Sequence, residues 1–286
     1  MKYAMIRKHE TSYKVAMMCR VLAVSRSGYY GWRDRPSSNR AQANARLIAN
    51  VHRVFDEHKG RIGSPRITKQ LRTEGQRVGK NRIAHAMQTE SLRAKAARKF
   101  KATTNSNHKL PVAPNLLEQD FTATAPNQKW VSDITYIQTD EGWLYLAVVL
   151  DLYSRLVVGW SMSERMTVNL VSDALTMALW RRKFPAGVIV HSDRGSQYCA
   201  HVYQRLLRNN RLICSMSKKG DCYDNAAMES WNHSLKVEAI HGERFTTREM
   251  AREQVFEYIE VYYNRKRLHS TLGYLSPESF EAQKVA

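Results

Sequence analysis

The chain has 286 residues, enough for two or three domains, with an ordinary hydrophobic share of 43% and a formal net charge of +19. The longest apolar run, Trp143 to Leu150, is too short to span a bilayer, and the first ten residues hold no apolar signal core. Cys19, Cys199, Cys214 and Cys222 form neither a CxxC pair nor a zinc spacing, so the expectation is a cytoplasmic, reduced protein without a membrane partner.

The charge is unevenly spread. Residues 1–101 carry 24 Lys and Arg against 6 Asp and Glu; the remainder carries 21 against 20. A basic block confined to one region is the footprint of a polyanion binder, with a merely solubilising surface as the alternative.

Within residues 1–36, Val15, Met18, Cys19 and Leu22 recur at helical spacing, and Ser25 is placed to cap a second short helix carrying Tyr29, Tyr30 and Trp32. This is either a short helix-turn-helix or a plain helical hairpin. Residues 40–95 hold a stronger helix-turn-helix pattern. A long helix is expected with Ala45, Ile48, Ala49 and Val51–Val54 inward. Two shorter helices follow, with Ile67 and Leu71 on one face, Ile83 and Met87 on another, and Val78 plugging the turn. The last helix opens with Lys80, Asn81 and Arg82, followed by His85, where a recognition helix would meet DNA. Residues 96–125 lose periodicity and read as a linker whose first Lys and Arg could track phosphates.

From 126 the pattern changes. Strands are expected at Trp130–Ile137, Gly142–Leu152 and Leu156–Met162, joined by short turns into an antiparallel meander. A helix over Thr167–Arg182, a strand at Gly187–His191, a helix over Val202–Asn210 and a strand at Leu212–Met216 follow. This order predicts an α/β fold with a ribonuclease-H-like core over 126–240: a mixed five-stranded sheet with helices, preceded by the all-α helix-turn-helix-type region. Residues 241–286 are expected to form a helical extension, with an amphipathic helix over 247–263 that turns Met250, Ala251, Val255, Ile259 and Tyr262 inward.

Three acids stand out as catalytic and metal-binding candidates. Asp133 lies in the middle of the apolar strand WVSDITYI, where a carboxylate is costly without a partner. Asp193 follows the fourth strand in HSDRGSQY, beside Gly195, whose missing side chain would admit a metal or phosphate. Glu229 lies on a helix with Met228, Trp231 and Leu235 as its apolar stripe. The gaps are 59 and 35 residues. Hard oxygen ligands suit Mg²⁺ or Mn²⁺, and a pair of such ions serves phosphodiester chemistry. Lys236, seven residues after Glu229 on the same helix face with His233 between them, is a candidate for DNA contact. Lys218 and Lys219 are weaker candidates. Asp151 is expected to be a strand-end residue or a support for Asp133, and Asp224 to cap the Glu229 helix.

Together WVSDITYI, GWLYLAVVLDLYSRLVVGW, HSDRGSQY, KGDCYDNAAMES and YNRKRLHSTLGYLSP closely resemble the second-frame (OrfB) transposase of the IS-three family of bacterial insertion sequences, a DDE-type, retroviral-integrase-like group. The likeness extends over essentially the whole chain. It implies that Asp133, Asp193 and Glu229 are the metal-binding triad and Lys236 the DNA-contacting base. It also implies strand cleavage at an element end, attack of the freed 3′-hydroxyl on the other end, and later integration of a circular intermediate. The implied partners are double-stranded DNA (element ends and target), further copies of the chain in a synaptic complex, and an upstream OrfA product or fusion; the implied place is the nucleoid. The alternatives are a ribonuclease-H-like nuclease without strand transfer and a DNA-binding regulator with an inactive core.

Overall fold

A computed structural model describes residues 1–95, 111–218 and 222–285, but not the side chains of 222, 223, 284 and 285. Two compact units result, Met1–Arg93 and Ala94–Ala286. No helix among the described residues is long and apolar enough to cross a membrane.

The first unit opens with α1 (Lys2–His9), α2 (Val15–Val21) and α3 (Arg26–Arg33). Ile6, Cys19 and Tyr29, one from each, meet in a small core, so three helices stand where two were expected. Ser25 caps α3 as anticipated, its Oγ accepting the Gly28 amide at 2.8 Å. Next come α4 (Asn39–Glu57), α5 (Ser64–Thr73) and α6 (Lys80–Thr89). Leu47, Val51 and Val54 of α4 close on Ile67 and Leu71 of α5 and on Ile83, Ala86 and Met87 of α6, with Val78 packed against them from the turn. Ala45 and Ala49, expected inward, are exposed. The inward stripe of α4 starts instead at Leu47 and continues at four- and three-residue steps.

In the second unit, β1 (Lys129–Thr139), β2 (Gly142–Asp151) and β3 (Val157–Ser163) form the antiparallel meander. The order continues through α7 (Val168–Arg181), β4 (Ile189–Ser192), α8 (Ser196–Cys199), α9 (His201–Asn209) and β5 (Ile213–Met216). Among the described residues the strands make one mixed sheet, ordered β3-β2-β1-β4-β5, with β4 parallel to both β1 and β5. This is the expected ribonuclease-H-like arrangement.

The unbroken apolar sequence of β2 follows from burial on both sides. Leu144, Leu146, Val148 and Leu150 face one cluster; Ala147 and Val149 face the other, which α7 closes with Leu170, Val171, Ala174, Leu175, Ala178 and Leu179. Gly159 of β3 permits the tight seat of α7. A Cβ there would lie 2.1 Å from the Ala174 carbonyl oxygen, so no side chain fits. Thr167 is the N-cap of α7, but its side chain makes no capping bond.

The opposite face is covered by α10 (Ala226–Leu235), which continues as a π-helical turn over Lys236–Ile240, and by α11 (Arg248–Phe256), which continues likewise over Glu257–Tyr263. Ala251, Val255, Ile259 and Tyr262 are buried as anticipated, whereas Met250 is exposed. Residues from Val131 to Tyr263 share this one cluster, so the sheet and the helices beyond 240 form a common core. The end of the chain is pinned by polar groups. Asn264 makes two hydrogen bonds to the backbone of Val157, at 3.0 and 3.1 Å, and Arg267 forms a buried, bidentate pair with Glu238. α12 (Pro277–Val285) follows, and its Glu281 accepts from Ser154 and Arg182.

Candidate active site

Asp133 and Asp193 are brought together by strand pairing. β1 and β4 run parallel with Val131 opposite His191, and two residues further along each chain stand the two acids. Glu229 comes from the first turn of α10, which packs on β1. It is exposed, while the two aspartates are half-buried.

The electrostatics tie the three together. The Asp133 carboxyl is pushed up to about 7, first by burial and then by the charge of Asp193, with Glu229 adding a smaller push. The Ile134 amide and the Asn232 side chain work against that rise. Glu229 is also raised, by partial desolvation of its otherwise exposed side chain.

Each aspartate is fixed by its own donor. Asn232 Nδ2 donates to Asp133 Oδ2 at 2.8 Å, and the Ile134 amide donates to Oδ1 at 2.9 Å. The Gly195 amide donates to Asp193 Oδ1 at 2.8 Å. Gly195 therefore has a different role from the one expected. A Cβ at this position would come within 2.9 Å of Asp193 Oδ1, so the bare α-carbon makes room for the aspartate itself.

Lys236 is half-buried, with Nζ 4.9 Å from the centroid of the Tyr136 ring. Burial lowers its pKa, and the charge of Asp133 acts in the opposite direction, which places the ammonium in the field of the acids. His233, between Glu229 and Lys236 in sequence, is exposed.

The other candidates fall elsewhere. Asp151 is fully buried at the end of β2, where it accepts from the Asn127 and Tyr153 amides and the Trp130 indole and lies 3.6 Å from Arg182. Those partners make it a structural joint of the strand end. Asp224 does not cap α10: the N-cap is Asn225, and Asp224 Oδ2 instead accepts from the Lys218 amide at 2.6 Å and Asn115 Nδ2 at 3.0 Å. The Lys218 side chain is exposed; Lys219 lies outside the described residues. Lys80, Asn81 and Arg82 are exposed on α6 in the first unit.

Asn232 and Tyr136 were not singled out from sequence. Asn232 lies three residues after Glu229 and Tyr136 three after Asp133. On a helix that spacing is a neighbour relation and could have flagged Asn232; on a strand it carries no such signal.

Among the described residues, no three of His, Cys, Asp and Glu converge closely enough to enclose a metal ion. The donor set nonetheless fits a hard divalent cation of the magnesium type, which binds through one or two carboxylates and keeps much of its water. Asp133 and Asp193 offer oxygen only, and their mutual repulsion is what a bound cation would relieve.

Residues 123–222 match the family described as Integrase core domain, residues 229–285 a second family of that description, and residues 42–100 the family described as HTH-like domain. The chain is 54% identical over 288 residues to Transposase InsF for insertion sequence IS3A of Escherichia coli, covering 100% of each chain. It is 49% identical over 263 residues to the Insertion element IS600 uncharacterized 31 kDa protein of Shigella sonnei, covering 92% of this chain and 97% of that one. Among solved structures, a chain of the simian T-cell lymphotropic virus intasome aligns at 14% identity and a TM-score of 0.46, covering 83% of this chain and 74% of its own. The HTLV-2 integrase catalytic core domain in complex with magnesium aligns at 13% identity and a TM-score of 0.40, covering 56% and 99%.

Proposed function

The chain belongs to the integrase-core transposases of bacterial insertion sequences, and from that premise we propose that Asp133, Asp193 and Glu229 hold Mg²⁺ or Mn²⁺ for cleavage and transfer of DNA strands at element ends. The observation that carries this reading is that Asp133 and Asp193 stand side by side just past the paired residues of β1 and β4, with Glu229 on the helix packed against β1 and all three coupled in charge. A pair of such ions supplies activation of the attacking oxygen and stabilisation of the leaving one.

The chain's own residues position the rest. Asn232 and the Gly195 amide each hold one aspartate oxygen, which fixes the direction of the remaining lone pairs. Lys236, backed by Tyr136, offers its ammonium to a phosphate of the strand under attack. Lys218 offers a second, more exposed charge. Lys80 and Asn81 on α6 approach duplex DNA in the first unit, while Arg82, expected beside them, is held back by Asn44. The protein acts on element ends and target as a homo-oligomer that joins two ends, in the cytoplasm on the nucleoid, with an upstream-frame product as partner or fusion. The family resemblance supports these last assignments.

The test is incubation of the full chain with Mg²⁺ and a labelled duplex carrying an element end. Products both shorter and longer than the substrate are expected. Asp193→Asn should remove both while leaving duplex binding intact. Shorter products alone would mean a nuclease without joining, and duplex binding without any product would mean a regulator with an inactive core. Unchanged chemistry in the Asn variant would sink the metal assignment.

A further inference from the structure

The polar groups of the first unit divide into two populations. On α4 and α5 they are engaged with one another: Arg53 binds Glu57 and Glu74, Gln70 donates to Glu57 and Glu74, and Arg72 donates to the Val78 carbonyl. Arg82, on the first turn of α6, is tied back to Asn44 of α4 at 2.7 Å. The outward face of α6 is different. Asn81, Ala84, His85 and Gln88 are all exposed, the last three lying three, four and seven residues after Asn81, which makes one stripe along the helix. Among the described residues no hydrogen bond engages the side chains of Asn81, His85 or Gln88.

We infer that this stripe reads base edges in the major groove of duplex DNA, with a preference for A·T pairs. The inference rests on the reading of α6 as a DNA-contacting helix and goes beyond it by assigning the chemistry of the sequence that is read. A carboxamide pairs bidentately with the N6 and N7 edge of adenine, and a small methyl such as that of Ala84 packs on the thymine methyl. Asn81 and Gln88 are seven residues apart, about 10 Å along the helix, so they address adenines about three base pairs apart. Ala84 lies between them, where a longer side chain would hold the helix off the bases. His85 supplies a ring nitrogen to the same row.

Phosphate contact falls to different residues. Lys69 on α5, Arg77 in the turn and Lys80 at the start of α6 are exposed, and among the described residues no acid pairs with them. They flank the stripe and carry charge without sequence information, so positioning and reading are separate functions of separate side chains. Arg82, held by Asn44, belongs to neither group; it braces α6 against α4.

The experiment uses the full chain and a pool of random duplexes, with bound sequences recovered and competed against the starting pool. The wild type should enrich a short motif with A·T pairs about three positions apart. Asn81→Ala with Gln88→Ala should lower the preference at those positions by on the order of tenfold to a hundredfold, a larger loss than that for random duplex. Lys69→Ala with Arg77→Ala should weaken all sequences alike and flatten the slope of log affinity against log salt by about two. If the wild type binds with a steep salt slope but enriches nothing, or enriches G·C pairs at these positions, base reading by this stripe is wrong while DNA contact stands. If no salt-dependent duplex binding occurs, both fail. Helix content of the variants by circular dichroism separates a lost contact from a lost fold.

Discussion

Asn232 Nδ2 donates a hydrogen bond to Asp133 Oδ2 at 2.8 Å, across from α10 to the middle of β1. This bond links the helix that carries Glu229 to the strand that carries Asp133, and so sets the distance between two of the three acids. Asn232→Ala should reduce strand cleavage by about 10- to 100-fold, the usual cost of losing a group that orients a ligand. It should also move the acid limb of the rate profile to higher pH, because the lost donor had favoured the ionised carboxylate. Rates measured from pH 6 to 9 check both; an unchanged profile would show that Asn232 serves packing alone.

Asp133 also sets a pH dependence of stability in the metal-free protein. Its carboxyl rises from 3.8 to about 7, through burial first and the charge of Asp193 second. A carboxyl raised by folding binds its proton more tightly in the native state. Its stabilising contribution is complete below about 4 and is lost as pH climbs through about 7. With a chelator present, Asp133→Asn should therefore raise Tm relative to wild type by a few degrees at pH 8 and by much less at pH 5. Melting curves at both values decide it, and a gap independent of pH would contradict the assigned burial.

Gly195→Ala isolates geometry from backbone strain. Gly195 has φ −57°, which any residue adopts, yet its Cβ would sit 2.9 Å from Asp193 Oδ1. The variant should fold with a Tm close to wild type and cleave DNA on the order of a hundredfold more slowly, as expected for a catalytic group displaced by a fraction of its radius. A wild-type rate in this variant would remove Asp193 from the reaction.

The Arg267–Glu238 pair is the main polar tie of the chain's end to α10, with both side chains 7% exposed. Arg267→Ala removes the counter-charge of buried Glu238 while the Tyr258 hydroxyl still donates to it, and should cost about 3–5 kcal/mol in denaturant unfolding. Arg267→Met combined with Glu238→Leu should recover much of that loss. A single variant that loses less than about 1 kcal/mol would mean that water reaches the pair.

The strands were legible because each hydrophobic segment is short, punctuated and either alternating or continuous for a reason that burial supplies. Asp133 stands out in the sequence because a carboxylate in the strand WVSDITYI needs a partner, whereas Asp193 and Glu229 stand out only in combination with it and through the family resemblance. Asn232 does not, because an amide on a helix surface is ordinary until the strand it faces is known. Asp224 looked like a cap from its position before α10, yet long-range partners, Asn115 and the Lys218 amide, claimed it. The slip from Ala45 and Ala49 to Leu47 on α4 has a similar origin: alanine is small enough to sit on either side of a helix, so its pattern constrains the phase weakly. α1 carries no periodic signal in the sequence because its buried contribution is a single residue, Ile6.

The ties made by Asn264, Arg267 and Glu281 come from a part of the chain that holds none of the three acids. Asp133, Asp193 and Glu229 all precede these residues in the sequence, and the helix bearing Glu229 runs on to Glu238, whose counter-charge Arg267 lies 29 residues later. Translation that stops between Glu238 and Arg267 yields a chain with the complete set of acids and an unsecured scaffold. The acids and the scaffold that holds them are therefore separable by truncation.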